Sequence, residues 1–401
     1  MAPRRKAATT GSIEQLLAAK EIVIHCGSGG VGKTTTAAAA AAMAAVHHGG
    51  KVLVLTVDPA RRLANALGLE AFGNVETRVP HEAFVEAGVE PRGELWAAML
   101  DTKQSWDDLV RRHAPDPATR DAILANPLYK NVTGRFVQSH DYIAMERLYD
   151  LHATGKYDLI IVDTPPTRSA IDFLEAPKRM ADFFGGRLLR WLTMPYRVGG
   201  KRGARILNVA SRPFYKMADS ILGSQFLQDI AEFFLAFQSM YDGFVERAES
   251  VERLLHDRRT TFAVVTTLEG APLREAQFFC DELMARKFNL GALVLNKTLP
   301  GYFLEHDADE AAEVLCADAP DLGEDLRALG VPALDDGARN GRVLRTVGES
   351  FKNFAVVARR EAELKAELSR DPEAIVTVPS FEVDIHDVSG LARIGDHLFA
   401  S

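Results

Sequence analysis

The chain has 401 residues, and its 47 Lys and Arg against 55 Asp and Glu give a formal net charge of −8. This acidic balance argues against a general nucleic-acid-binding protein, because such proteins carry a basic footprint on their surface. Hydrophobic residues make up 47% and charged residues 25% of the chain, as in an average globular domain, so extensive disorder is excluded.

With 401 residues the chain exceeds the roughly 250–300 residues at which a single hydrophobic core usually stops growing, so the length predicts one elaborated domain or two lobes. We expect a flexible tail at residues 1–11 and one domain, elaborated by insertions, over residues 12–401. No run of about 18 apolar residues predicts an integral membrane segment. The basic N-terminus lacks the apolar region of a secretory signal, so a cytoplasmic protein is expected.

Apolar runs separated by helical stretches predict a doubly wound, mostly parallel α/β sheet. The run 21–26 leads into a glycine loop, an alanine-rich helix from residue 33 and a second apolar run at 51–58. Strand, loop, helix and strand form a βαβ unit, which implies a parallel sheet. The usual order of such sheets places the strand 51–58 beside the strand 21–26. Further strands are predicted at 95–100, 157–163, 261–266 and 292–296.

Two long segments interrupt this pattern without a strand of their own. Residues 103–153 and 170–257 are predicted to be helical insertions, and apolar residues in the second recur at steps of three and four. After them, residues 372–401 are predicted to form a strand, a loop and a closing helix. We therefore expect an α-helical subdomain inserted into the α/β domain.

The strongest motif lies between the first strand and the first helix. It fits G-x-x-x-x-G-K-[ST], in the strand–loop–helix context that a phosphate-binding loop requires. Backbone N–H groups and the helix N-terminus would face a phosphate, Lys33 would reach the β and γ phosphates, and Thr34 would coordinate Mg²⁺. The motif predicts a P-loop NTPase fold. Its residues are Gly27, Ser28, Gly29, Gly30, Val31, Gly32, Lys33 and Thr34, with Thr35 as a further donor to the α phosphate.

Two aspartates end predicted strands on the side of the sheet where such folds bind ligands. Asp163 follows four apolar residues, as a Walker B aspartate does, and would act on Mg²⁺ through water. Asp58 ends the run 51–58 and would also act on Mg²⁺ through water. The alternative is that either carboxylate only caps a following turn or helix.

Together these motifs resemble the arsenite-pump and tail-anchored-protein-targeting ATPases, a class of dimeric P-loop ATPases with a deviant Walker A loop. The resemblance is carried by residues 29–35, by Asp58-Pro59-Ala60, by 163–167 and by Asn296, and it covers about residues 20–360. It implies an enzyme that hydrolyses ATP to ADP and phosphate, uses Mg²⁺ and closes as a dimer around the nucleotide.

The resemblance also assigns roles to residues of this sequence. Asp58 would orient or deprotonate the attacking water, with Lys33 as the second catalytic residue. Asn296 would read the adenine, and Pro332 or its neighbours would form the other wall of the base site. The two switch segments would contain Pro59 and Ala60, and Thr164, Pro165 and Pro166.

Three departures from the family pattern limit what is carried over. The family's loop has a lysine after its first glycine, which acts across the dimer as an arginine finger does, and this chain has Ser28 there. A homodimer is one interpretation, but we prefer a heterodimer with a paralogous ATPase that supplies the lysine. There is no CxxC pair, so no zinc is expected. Cys280 and Cys316 show no clear match to the arsenite-binding cysteines.

The apolar helical lobe admits two interpretations. Its apolar stripe is typical of a core, but flexible Met and aromatic side chains also suit a groove for a hydrophobic client helix. The first function considered is therefore ATP-driven binding or targeting of hydrophobic membrane-protein segments. The candidate groove residues are Met180, Phe183, Phe184, Trp191 and Met194.

Two other functions are kept as alternatives. One is the energising subunit of an anion or arsenite efflux system, which would need soft ligands such as thiolates. The other is a positioning switch of the partitioning-ATPase class on membrane or DNA. No nucleic-acid partner is expected, whereas the basic segment 197–205 leaves a peripheral membrane contact open.

Overall fold

The structure of the chain is a computed structural model. It describes residues 11–57, 62–69, 73–127, 129–130, 137–164, 175–176, 178–179, 233, 240–368 and 372–400. Most of the predicted insertion 170–257 therefore lies outside the described residues, and so do the candidate groove residues.

A sheet of eight strands runs through this part of the chain. In chain order the strands are β1 (Ile22–Cys26), β2 (Lys51–Thr56), β3 (Thr77–Arg78), β4 (Glu94–Met99), β5 (Leu159–Asp163), β6 (Thr260–Thr266), β7 (Leu290–Thr298) and β8 (Ala374–Pro379). Their order across the sheet is β3-β4-β2-β5-β1-β6-β7-β8. Every pair is parallel except β3 with β4. The predicted mostly parallel α/β fold is confirmed.

The strand that carries the phosphate loop lies inside the sheet. β1 pairs with β5 on one side and with β6 on the other, and β2 pairs with β5. The expectation that the strand 51–58 lies beside β1 is therefore wrong. The strand β5 lies between β2 and β1, so the strand ending at Asp163 is the neighbour of β1 instead.

Helices cover both faces of the sheet. On the first face lie α1 (Ile13–Ala19), α2 (Lys33–His47), α3 (Arg62–Ala66), α4 (His81–Glu86) and α13 (Val388–Phe399). On the other face lie α5 (Thr102–His113), α6 (Pro117–Ala125), α7 (Val137–Ala153), α8 (Tyr241–His256) and α9 (Gly270–Ala285). Because both faces are covered, the central strands are buried throughout and read as continuous apolar runs.

Several helices begin at a short polar side chain that the sequence places just before them. The side-chain oxygens of Ser12, Asp101, Asp116, Asp336 and Asp387 each accept a backbone N–H of the following first turn. Such a cap satisfies a donor that the helix leaves unpaired, and losing one typically costs about 1 kcal/mol.

A third group of helices packs at the β7–β8 side of the sheet. It consists of α10 (His306–Ala317), α11 (Ala319–Ala328) and the long α12 (Gly337–Glu367). The Glu361 carboxylate accepts the backbone N–H of Leu299 at 2.9 Å, which ties α12 to the end of β7. Among all helices of the described part, none is long and apolar enough to cross a bilayer.

Candidate nucleotide site

The glycine loop joins the end of β1 to the start of α2. Gly32 adopts a left-handed conformation (φ 92°) and is the residue before the first helical residue, Lys33. A side chain on Gly32 would overlap the amide nitrogen of Asn296 on β7. That amide donates a hydrogen bond to the Val31 carbonyl at 2.8 Å, and Asn296 is buried. This hydrogen bond ties the loop to β7. The first residues of α2 line a cavity beside the loop.

The Lys33 side chain folds back over the same loop. Its Nζ atom donates to the Ser28 carbonyl at 2.7 Å, and the residue is only 6% exposed. A buried ammonium group at a helix N-terminus is a strong site for an anion, because its charge adds to the partial positive charge of the N-terminal N–H groups and little water screens them.

The end of β5 places a carboxylate below the loop. Asp163 is fully buried, and its Oδ2 atom accepts a hydrogen bond from the Thr56 hydroxyl of β2 at 2.9 Å. The next residue, Thr164, donates its hydroxyl to the His25 carbonyl of β1 at 2.8 Å. Three adjacent strands therefore fix the position of this carboxylate.

Two titratable groups under the loop are held uncharged by burial. Burial lowers the pKa of His25 to about 4, so its imidazole is neutral at pH 7. Burial also raises the pKa of the Cys26 thiol far above its ordinary value. The thiolate that a soft metalloid needs is therefore disfavoured at Cys26, and the positive charge of Lys33 is not offset by this cysteine.

A cavity of about 750 Å³ opens beside the loop. Its floor contains Gly30, Lys33 and Thr34 of the loop and helix, with Asn296 on one side. The opposite wall comes from the segment between β8 and α13, which includes Phe381 and His386. The cavity is polar at the loop and carries apolar side chains on the far wall, which suits a ligand with phosphates at one end and a flat base at the other.

The residues present fit both a nucleotide and a magnesium ion. Gly30 and Gly32 have a positive φ and line the cavity, and glycine loops of this kind present backbone N–H groups to a phosphate. Thr34 lines the cavity with a hydroxyl, and Asp163 supplies a carboxylate at the adjacent strand end. Hydroxyl and carboxylate oxygens, completed by phosphate oxygens and water, are the ligands that Mg²⁺ prefers.

The predicted residues do not all lie in this site. Asp58, Pro59, Ala60, Pro165 and Pro166 lie outside the described residues, so their roles stay predictions. Pro332 begins a short 3₁₀ turn (Pro332–Leu334), is exposed, and is not among the residues lining the cavity. Its role as a wall of the base site also stays a prediction.

Sequence reasoning missed several residues that the fold brings here. Thr56 bonds the predicted Walker B carboxylate, and the Ser28 hydroxyl donates to Glu275 of α9 at 2.5 Å. The wall formed by residues 380–386 lies some 350 residues after the loop in the chain. Only the pairing of β8 onto the sheet edge brings this wall close, and no local signal announces it.

Comparison with known families decides the class of protein. The sequence model of the family described as "Anion-transporting ATPase" matches residues 20–314, well over half of the chain. The chain belongs to this family. Membership confirms the resemblance stated above and the P-loop NTPase fold, and the family is one of ATPases.

Curated relatives of the chain are distant. The ATPase BagA of Mycobacterium tuberculosis is 26% identical over 147 residues, 37% of this chain and 42% of that protein. The chain thus spans less than half the length of BagA and of two further mycobacterial relatives. The ATPase GET3 of Komagataella phaffii is 26% identical over 68% of this chain and 71% of its own. A putative arsenical pump-driving ATPase of Aquifex aeolicus is 24% identical over 71% of this chain and 65% of that protein.

Alanine substitutions in the glycine loop distinguish the effect of backbone strain from the effect of a clash with Asn296. Gly30 and Gly32 both have a positive φ, but a side chain at Gly30 would meet no atom within 4 Å, whereas one at Gly32 would meet Asn296. We expect Gly30→Ala to cost about 1–2 kcal/mol of stability through strain alone. Gly32→Ala should cost more, and should also weaken ADP binding because Asn296 and the loop must separate.

A matched control for this comparison is Gly88→Ala. Gly88 also has a positive φ (75°) and open space around it, but it follows α4 and does not line the cavity. Chemical denaturation and ADP titration would be run on all three variants. The interpretation of the loop would be wrong if Gly32→Ala bound ADP as tightly as Gly88→Ala.

Proposed function

We propose that this chain hydrolyses ATP at the loop 27–35 and uses the nucleotide cycle to drive a dimer clamp. The observation that carries the proposal is the convergence of the loop, Lys33 and Asn296 at one cavity, with Asp163 buried at the end of β5 next to the cavity-lining Thr164. In it, Lys33 holds the β and γ phosphates, Asn296 faces the adenine, and Asp58 positions the attacking water. Thr35 donates to the α phosphate.

Magnesium would be held by Thr34 and, through water, by Asp163 and Asp58. When bound, it neutralises charge on the phosphates. The protein's own contribution is positioning: the loop N–H groups and the Lys33 ammonium are fixed before the nucleotide arrives. Such preorganised donors need no rearrangement when charge develops in the transition state.

The proposal includes a second chain, because one P-loop per chain can form only half of a two-nucleotide clamp. Ser28 takes the position of the family's loop lysine, and its hydroxyl is bound to Glu275 of the same chain at 2.5 Å. This contact supports a dimer in which the partner chain supplies a cation to this loop, while this loop supplies no cation to the partner. We therefore propose a heterodimer with a lysine-bearing paralogue, with a homodimer as the alternative.

The client is proposed to be an apolar helix of a membrane protein, held in the inserted lobe when ATP closes the dimer. Support comes from the similarity to an ATPase named GET3 over 68% of this chain and from the Met- and Phe-rich segment around residues 180–194. ATP would favour the closed arrangement only if the client or nucleotide binds it more tightly than the open one.

The test compares two variants purified from native cells with ATP and Mg²⁺. Asp58→Asn should bind ATP without cleaving it and retain its partners, whereas Lys33→Ala should lose the nucleotide. Mass spectrometry is expected to find single-span membrane proteins, and a paralogue with the loop lysine, enriched in the first sample only. Identical protein sets in both samples would contradict an ATP-dependent clamp, and recovery of the chain alone would leave the homodimer.

A second candidate function is favoured by the family's description and by the names of the Aquifex aeolicus relatives. In it the chain would energise export of an anion such as arsenite. Growth in arsenite with and without the gene separates the two, because only the efflux function predicts sensitivity on deletion.

A further inference from the structure

The strand β7 ends in a bulge that points one lysine at the phosphate loop. Its pairing with β8 shifts register between Leu295 and Thr298. Inside this bulge Lys297 has a φ of 56°, a left-handed conformation that is unfavourable for residues other than glycine. Bulges beside functional sites commonly redirect a side chain, so the strained position calls for a functional reason.

The redirected side chain reaches the middle of the loop. The Lys297 Nζ atom donates to the Gly30 carbonyl at 3.0 Å, and the residue is exposed and lines the same cavity as Lys33 and Thr34. Its neighbour Asn296 donates to the next carbonyl, that of Val31. Two consecutive residues of β7 therefore hold two consecutive carbonyls of the loop, and one of them carries a charge.

The two lysines of the cavity differ in accessibility. Lys33 is buried over the loop, whereas Lys297 is exposed at its mouth. A single bond to a neutral carbonyl is a weak use of an ammonium with three donors, and a phosphate oxygen is a stronger acceptor. A nucleotide entering the cavity would bring such oxygens within reach of a side chain already aimed at the loop.

We propose that Lys297 is a second phosphate-binding lysine, which leaves the Gly30 carbonyl and contacts a phosphate oxygen of the bound nucleotide. This role rests on the nucleotide site of the proposed function and is independent of the client. It adds a charge on the same chain, at a loop whose second residue is Ser28.

The test measures the dissociation constants of ATP and ADP for Lys297→Met, Lys297→Gly and Lys297→Arg at low and high salt. Removing a charge-assisted hydrogen bond should weaken binding of both nucleotides by about tenfold in the Met and Gly variants. Their affinity should also depend less on salt, because one phosphate–cation pair is gone. Arg keeps the charge and should stay within about threefold of the parent chain.

Lys287 provides a matched control. It is the other non-glycine residue of the described part with a positive φ (63°), it is exposed at the end of α9, and it does not line the cavity. Lys297→Gly and Lys287→Gly should both keep or raise the melting temperature without nucleotide, because glycine relieves the strain. Only Lys297→Gly and Lys297→Met should lose nucleotide affinity.

Lys33→Ala is measured alongside to keep two failures distinct. If it bound ATP like the parent chain, the nucleotide site itself would be misplaced. If it lost ATP while Lys297→Met kept the parent affinity at both salt concentrations, the role of Lys297 alone would be overturned. An equal loss of affinity in Lys287→Gly would also overturn it, because the effect would then follow the change of backbone at a positive-φ position and not the contact with phosphate.

Discussion

Replacing Lys33 by alanine is expected to lower ATP hydrolysis by about 10²–10³-fold, the cost of removing one preorganised donor from the transition state. The ammonium lies 2.7 Å from the Ser28 carbonyl and is nearly buried. A water molecule that took its place would not supply the lost positive charge. Phosphate release at saturating ATP gives the effect on turnover, and titration with ADP gives the effect on binding.

Two further variants sharpen this expectation. Lys33→Arg should recover little activity, because the planar guanidinium cannot occupy the space of a compact ammonium in a buried loop. Lys51→Ala removes an exposed lysine at the other end of a central strand and should leave both readouts unchanged. The assignment of the site would fail if Lys33→Ala hydrolysed ATP within about threefold of the parent chain.

Replacing Glu146 by alanine is expected to cost about 3–5 kcal/mol of stability. Glu146 of α7 is 1% exposed and forms an ion pair with Arg247 of α8, whose side chain is 12% exposed. The Tyr142 hydroxyl donates to the same carboxylate at 2.9 Å. Burial raises the pKa of Glu146, and the guanidinium opposes that effect. Without the carboxylate, Arg247 would keep a buried charge that lacks this counterion.

The free energy of unfolding in urea measures this cost, and α8 itself offers the control. The pair of Arg253 and Glu249 lies on the same helix with side chains 68% and 63% exposed. Glu249→Ala should therefore cost less than about 1 kcal/mol.

A double variant tests the physical reason for the large effect. Replacing both Glu146 and Arg247 by methionine removes the two charges together and fills their space, so it should be much less destabilising than Glu146→Ala. Equal destabilisation would contradict the explanation by an uncompensated buried charge. Along the chain, α7 and α8 precede and follow the segment 170–239, in which the client groove is proposed.

The sequence was sufficient for features that are encoded locally. The glycine loop is recognisable because its spacing, the strand before it and the helix after it are all contiguous. Asp163 stands out because four apolar residues precede it in a buried parallel strand. For the same reason the structure has these strands at nearly the predicted positions.

Features that depend on pairing between distant segments were not predictable in this way. The insertion of β5 between β1 and β2 is a property of the crossover connections, and nothing in the run 51–58 encodes it. The strand β7 was expected to end at Asn296 but continues to Thr298 through the bulge. The bulge exists only against β8, about 80 residues later, so the orientation of Lys297 could not be inferred locally.

We expect ATP to bind in the cavity between the loop 27–35, Asn296 and the segment 380–386. The most direct measurement is a crystal structure of the chain with Mg²⁺ and a non-hydrolysable ATP analogue. We expect the phosphates on the loop N–H groups beside Lys33, with the base near Asn296. A nucleotide bound anywhere else, or a base turned away from Asn296, would contradict the account.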